Sequence, residues 1–285
     1  MRRAGEAPVK AVCDVCPHHC ALAEGQTGRC RARRGAGGGV VCANFGRFVA
    51  IALDPIEKKP LARFHPGSRV LSVGSYGCNL NCPFCQNHEI SMATGFERDL
   101  EIRETSPDRL VKQALRLAGR GCIGLAFTYN EPLVSYEYVR DCSRLAHEHG
   151  LVCVVVTNGM VCERPLRELF GLVDAFNIDL KAFSQEGYAR LGGDLETVRR
   201  SIELASEHAH VEVTTLVVPG LSDAPDEIEA AASWLAGIDP KTPYHLTRFF
   251  PRYRMTDAAP TPLATMHALK RVASRHLDDV LLGNV

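Results

Sequence analysis

The stretch 69-RVLSVGSYGCNLNCPFCQN-87 joins an apolar, β-branched run to a loop with three cysteines at 78, 82 and 85, spaced C-x3-C-x2-C. RVLSVGS reads as a buried strand and begins a rhythm. IGLAFT (123–128), LVCVVVT (151–157), DAFNIDL (174–180), HVEVTTLVV (210–218) and YHLTRFF (244–250) are further short runs of the same kind. Helical patterns separate them. In TSPDRLVKQALRLAGRG (105–121), Ser106 can cap, Pro107 takes the first helical position, and Leu110, Val111, Ala114, Leu115 and Ala118 share one face before Gly119 and Gly121. Helices are also expected in 133–149, 163–171, 194–208, 223–237 and 262–276. Such alternation implies an α/β fold with a parallel sheet and right-handed crossovers, either open and doubly wound or a barrel. At roughly 30 or more residues per βαβ unit the chain from Arg69 onward has room for about six, so a complete eightfold barrel would be cramped. The terminal DDVLLGNV is strand-like with no turn after it, and the chain is expected to be an incomplete version of a longer protein.

The chain has 285 residues, 46% hydrophobic and 23% charged, which suits one or two folded domains rather than long disorder. Lys plus Arg equals Asp plus Glu at 33 each, so the overall charge gives no reason to expect nucleic acid or an anionic membrane as partner. MRRAGEAPVKAVCDVC lacks the apolar run of a signal peptide, and no stretch approaches a membrane span, so a cytoplasmic location is expected. There, twelve cysteines stay reduced, and tight clusters of them read as metal ligands.

Three regions follow from the pattern. Residues 1–44 form a cysteine-rich module, 45–68 a connector packed on the main domain, and 69–285 the strand–helix domain. In the first, 13-CDVCPHHCALAEGQTGRC-30 offers Cys13, Cys16, Cys20 and Cys30 as a second metal site, with Gly25 and Gly28 allowing the chain to turn back and His18 or His19 able to replace a cysteine. Zinc is expected there ahead of an auxiliary iron–sulfur cluster, because four-thiolate zinc holds small modules without a core. The following RARRGAGGGVV reads as a surface loop with solvated arginines. FGRFVAIALDPIEKKPLARF (45–64) alternates enough for a strand pair before its prolines break it.

The triplet at 78, 82 and 85 follows the first strand, where functional loops of (βα) barrels sit. Three thiolates on a four-iron cube leave one iron without a protein ligand, and an open iron can bind another molecule. This motif resembles that of the radical S-adenosylmethionine (SAM) superfamily, and the resemblance covers about 70–250. It implies a partial (βα)6 TIM-type barrel, a [4Fe–4S] cluster on Cys78, Cys82 and Cys85, and SAM at the open iron. FTYNEP (127–132) resembles the loop whose acid binds the SAM amino group, which places Tyr129, Asn130 and Glu131 at the cofactor. VTNG (156–159) and IDLK (178–181) resemble stretches of glycyl-radical-enzyme activases. There Thr157, with Asn158 beside it, and Asp179 would contribute to a monovalent cation site beside SAM, and Lys181 would lie near the active site. Val156 departs from the activases' aspartate. VVPGLSD (217–223) resembles the segment along the SAM adenine and ribose, with Val218 in contact.

A finer likeness is to the radical SAM component of the AmmeMemoRadiSam system, carried by CPHHC, DPIEKKPL (54–61), TYNEP and HLTRFFPRYRM (245–255). It implies reductive SAM cleavage with an unidentified substrate, an electron donor such as flavodoxin or ferredoxin, and Memo-like and AMMECR-like companions. Two alternatives stand beside it: a glycyl-radical-enzyme activase, and a non-catalytic iron–sulfur scaffold or carrier. From the residues themselves, Glu131 could cap the helix after it. Asp179 and Lys181 alternate with apolar neighbours and so share one side of a strand. His245 and Arg248 either face substrate at the sixth strand or are rim residues, and with Asp179 and Lys181 they complete the candidate catalytic set. Cys42, Cys122, Cys142, Cys153 and Cys162 stand at no ligand spacing and read as inert thiols.

Overall fold

The computed structural model describes residues 10–285, so the arginines at the N-terminus and the start of the 1–44 module lie outside the described residues. Eight strands form the central sheet: β1 (Ala50–Pro55), β2 (Arg69–Gly74), β3 (Cys122–Phe127), β4 (Val152–Thr157), β5 (Ala175–Asp179), β6 (His210–Val217), β7 (Tyr244–Arg248) and β8 (Val280–Gly283). They lie side by side in chain order. From β2 to β8 every pairing is parallel, and only β1 runs antiparallel, with Ala50 opposite Gly74 and Pro55 opposite Arg69. A doubly wound sheet would reverse its strand order at a switch point. This one never does, so it curls in one sense as a partial barrel, unclosed between β1 and β8.

The crossovers carry α1 (Pro107–Arg116), α2 (Tyr136–Glu148), α3 (Glu163–Arg167), α4 (Gln185–Leu191), α5 (Leu195–Ser206), α6 (Pro225–Ile238) and α7 (Leu263–Ala273). The Ser106 hydroxyl caps α1 by accepting the Arg109 amide at 3.4 Å, and Leu110, Val111 and Ala114 are its buried face. Alternation along the strands sorts the core into two layers. Leu71, Val73, Leu125, Phe127, Cys153, Val155, Phe176 and Ile178 pack in the large core with residues of the helices, whereas Val70, Ala126, Val154 and Ala175 form a separate cluster with Ile56 and Leu61. The inward cluster is thus plugged from below by the segment that joins β1 to β2.

That segment differs from the expectation of a self-contained strand pair in a connector. Ala50–Pro55 belongs to the central sheet, and Arg47–Phe48 pairs with Arg103–Glu104 instead. The glycine-rich run is also more ordered than a loop. Arg33–Ala36 and Gly39–Cys42 form an antiparallel hairpin, turned by Gly37 and Gly38 at φ +59° and +77°. Arg33 is not solvated: it is 5% exposed and grips both carboxylate oxygens of Glu137 at 2.7 and 2.8 Å. Ala11–Val12 pairs with Ala21–Leu22 ahead of it. No helix among the described residues is long and apolar enough to cross a membrane.

Candidate active site

Cys78, Cys82 and Cys85 lie on the loop that leaves the C-terminal end of β2. The loop begins at Gly77, whose φ of +89° and closeness to Cys30 leave no room for a side chain: a Cβ would lie 2.5 Å from the Cys30 carbonyl oxygen. Cys78 Sγ accepts from the Leu80 amide and from Asn158 Nδ2, each at 3.5 Å. Burial drives the Cys78 thiol well above its ordinary range and pushes Cys82 up to about 11, although the Lys181 ammonium acts on Cys82 in the opposite sense. These two thiols stay protonated unless a metal offsets the burial, and with Cys85 they place three thiols on one loop, the set that suits a cluster with one open iron. The run Arg252–Met255 folds over the loop, with the Arg254 amide donating to Pro83 O at 2.9 Å and Tyr253 stacking on His88 at 4.4 Å.

The loop after β3 faces this one. Glu131 is 2% exposed and accepts from the Leu133 amide at 2.9 Å, the Thr157 hydroxyl at 2.7 Å and the Asn158 amide at 2.7 Å. It therefore caps the helical turn after it and also gathers the top of β4. Burial pushes its carboxyl up to about 7 in spite of those three donors, and the nearby Asp179 charge adds to the rise. Asn130 Oδ1 accepts from the Ser75 amide at 3.0 Å while its Nδ2 donates to Gly77 O at 2.9 Å, tying this loop to the start of the cysteine loop. Asn158 Nδ2 also donates to Asn79 Oδ1 at 2.9 Å. One network thus joins Cys78, Asn79, Glu131, Thr157 and Asn158.

At the top of β5, Lys181 Nζ donates to Asp179 Oδ2 at 2.9 Å. Burial opposes the Lys181 charge, but Asp179 and the Cys82 thiol outweigh it and raise its pKa. The other expected residues fall elsewhere. Val218, expected along SAM, is fully buried in the main core, its amide donating to Ser222 Oγ at 3.0 Å and its carbonyl accepting from the Leu221 and Ser222 amides. His245 Nε2 bonds Glu212 Oε2 at 2.6 Å low in the barrel, and Arg248 Nε donates to Thr261 O at 2.7 Å with its guanidinium over Phe250. Tyr129, expected at the cofactor, points down the barrel instead, its hydroxyl donating to Asp54 Oδ2. The sequence reading passed over Asn79 and Glu212, for a lone asparagine in a cysteine loop and a lone acid in a strand carry no spacing signal.

In the N-terminal segment Cys13, Cys16 and Cys30 are buried and Cys20 is partly so. The Cys13 amide donates to Cys20 O at 3.0 Å, which turns the segment back on itself there. His18 Nε2 lies 2.8 Å from Asn79 O, and Arg31 reaches Cys78 O at 3.4 Å, so the segment rests directly on the cysteine loop. Cys162, expected to be inert, approaches the set: its amide donates to Val15 O at 2.9 Å, and burial, then the Cys16 thiol, push its own thiol up to about 11. Among the described residues no three His, Cys, Asp or Glu side chains are drawn in around a single metal ion.

Residues 72–235 match the Radical SAM superfamily. The chain belongs to that superfamily. An uncharacterised protein of Methanocaldococcus jannaschii is 37% identical over 279 residues, covering 97% of this chain and 82% of that protein. The pyruvate formate-lyase 1-activating enzyme of Escherichia coli K12 is 26% identical over 165 residues, covering 56% of this chain and 65% of that enzyme. Among solved structures, TYW1 with a lysine–pyruvate adduct bound matches with a TM-score of 0.55 at 15% identity over 81% of this chain and 84% of that one, a likeness of fold. As a radical SAM protein with activating-enzyme relatives the chain is an enzyme of oxidoreductase type, and the family brings with it a [4Fe–4S] cluster and SAM. The reading as a non-catalytic carrier is therefore set aside.

Proposed function

We propose that this radical SAM enzyme is of the AmmeMemoRadiSam type, with Cys78, Cys82 and Cys85 holding the [4Fe–4S] cluster and Glu131 receiving the SAM amino group. The observation that carries the site assignment is the network from Cys78 through Asn158 to Glu131, because it sets the acid and the cluster loop in one rigid frame. With a cluster and SAM bound, one electron from a flavodoxin or ferredoxin would cleave the SAM C5′–S bond, releasing methionine and leaving a 5′-deoxyadenosyl radical that would take hydrogen from a substrate. The chain's own share is to orient and to exclude water. Thr157 and the Asn158 amide fix the Glu131 carboxylate, and Arg252–Met255 covers the cysteine loop. We take the Lys181 ammonium, rather than a monovalent cation, as the counter-charge of Asp179.

Replacing Glu131 with alanine should weaken SAM binding by about 1.5–3 kcal/mol, the worth of a charge-assisted hydrogen bond, without changing iron content. Calorimetric titration of the reconstituted protein with SAM measures it, and an unaltered affinity removes Glu131 from the site. The subtype rests on CPHHC, DPIEKKPL, TYNEP and HLTRFFPRYRM, and Memo-like and AMMECR-like proteins are the companions it suggests. A second reading, hydrogen abstraction from a backbone glycine of a partner protein, is favoured by the likeness to the E. coli pyruvate formate-lyase 1-activating enzyme.

For Cys13, Cys16, Cys20 and Cys30 we retain a metal, with zinc ahead of an auxiliary iron–sulfur cluster, because four thiolates within eighteen residues suit the structural zinc that holds a small module without a core of its own. Metal analysis of anaerobically reconstituted protein should give one zinc beside about four irons per chain, the zinc being lost when the four N-terminal cysteines become serine. About eight irons and no zinc would favour the auxiliary cluster instead.

A further inference from the structure

The motif DPIEKKPL contributes to neither the thiol loop nor the acid above it, yet it fills the middle of the barrel. After β1 the chain makes a tight helical turn at Ile56–Lys58 and passes under the sheet, with Ile56 and Leu61 fully buried against Val70, Ala126, Val154 and Ala175. Lys59, 2% exposed, donates from Nζ to Asp54 Oδ2 at 2.8 Å. The same oxygen accepts the Tyr129 hydroxyl at 2.5 Å, and Lys59 Nζ lies 4.6 Å from the centre of the Tyr129 ring. Tyr129 comes from the opposite end of the barrel, just after β3. Its φ of +71° is in the left-handed region, which a tyrosine rarely adopts, and its ring fills the space beside Gly74, where a Cβ would lie 2.8 Å from the ring.

We propose that the Asp54–Lys59 pair is a positioning device for the SAM-facing loop, gripping Tyr129 from below so that Asn130 and Glu131 are held at the height of the cysteine loop. A hydrophobic plug would close the barrel as well, and burying an ion pair is seldom a source of stability. What the pair adds is direction. A charged acceptor fixed by Lys59 holds the Tyr129 hydroxyl in one place, and with it the strained backbone from which the next two residues project. Asn130 then grips the backbone at Ser75 and Gly77, and Glu131 grips Thr157 and Asn158, so a shift at Tyr129 is felt on both sides of the site. Burial, followed by Asp54, raises the Tyr129 pKa, which keeps the hydroxyl a donor; Asp54 is lowered by Lys59 and Tyr129 despite its own burial.

This inference rests on Glu131 as the SAM ligand, and the test separates the two. The full chain is reconstituted anaerobically as wild type, Tyr129→Phe, Lys59→Met, Glu131→Gln and the Tyr129→Phe/Glu131→Gln double variant. SAM affinity is read from the change in the reduced cluster's paramagnetic resonance spectrum on titration, alongside iron content and the urea midpoint. Tyr129→Phe, which keeps the ring and loses only the hydroxyl, is expected to retain the cluster and bind SAM about tenfold more weakly. Lys59→Met should do the same, and if it does not fold, Tyr129→Phe decides alone. In the double variant Tyr129→Phe should add little to Glu131→Gln, as for residues that act through one another. Unchanged SAM affinity in Tyr129→Phe, with Glu131→Gln weakened, overturns the inference, even if stability falls. Unchanged affinity in Glu131→Gln overturns the reading beneath it.

Discussion

Alanine at Cys78, Cys82 or Cys85 is expected to reduce SAM cleavage to background, the largest effect of any single substitution in this chain. Two thiolates cannot hold a four-iron cluster whose fourth iron must stay open, and the loop carries no fourth cysteine to replace a lost one. Anaerobically reconstituted protein is given dithionite and SAM, and 5′-deoxyadenosine is separated and quantified together with bound iron. Cys142→Ala, which changes a buried thiol on α2, should keep both iron and cleavage. Continued production of 5′-deoxyadenosine by the triple alanine variant would overturn the assignment.

Removal of the Glu212 carboxylate should have the largest effect on stability. The residue is 0% exposed and accepts from the amides of Ala62 at 2.9 Å and Arg63 at 2.7 Å, from His210 at 2.9 Å and from His245 at 2.6 Å. In Glu212→Ala these donors lose their acceptor inside the barrel, and at about 1–3 kcal/mol for each orphaned buried group the loss should exceed about 3 kcal/mol. Burial raises the Glu212 pKa, but the two histidines and two amides outweigh it and hold it at about 2, against an ordinary 4.5. A depressed carboxylate contributes stability that is complete above 4.5 and disappears as the pH falls from 4.5 to about 2. The shift corresponds to about 3 kcal/mol. Urea midpoints of wild type should fall across that window, and those of Glu212→Gln should fall less; parallel curves would show that the four contacts do not fix its charge.

The strands after Arg69 were legible because parallel strands under helices are apolar on both faces, and DAFNIDL or LVCVVVT admits few other readings. β1 was not, since its partner Arg69–Gly74 is identified by pairing rather than by pattern; AIALDP looks the same in a local hairpin. The short α4 was missed for want of length, although Ser184 and Gly192 mark its two ends. The cysteine loop and Glu131, which the structure joins in one network, are both visible as motifs. The fate of His245 is not: a histidine in a strand reads alike whether it faces a substrate or an acid one strand away, and Glu212 decides the matter. Arg33 was hidden in the same way, by a partner 104 positions along the chain.

The plug beneath the barrel also constrains the order in which the chain can become folded. Ala62 and Arg63 leave the ribosome early, but their acceptor on Glu212 lies 150 and 149 residues later, and the partner of the Arg63 side chain, Asp279, lies 216 residues later. During synthesis the inward faces of β2 to β5 therefore exist before the groups that fasten their cover. Closure of so long a loop is slow and comes late. Until those acceptors are made the floor of the barrel is unfastened, and sheet faces open in this way are the surfaces on which partly made chains associate.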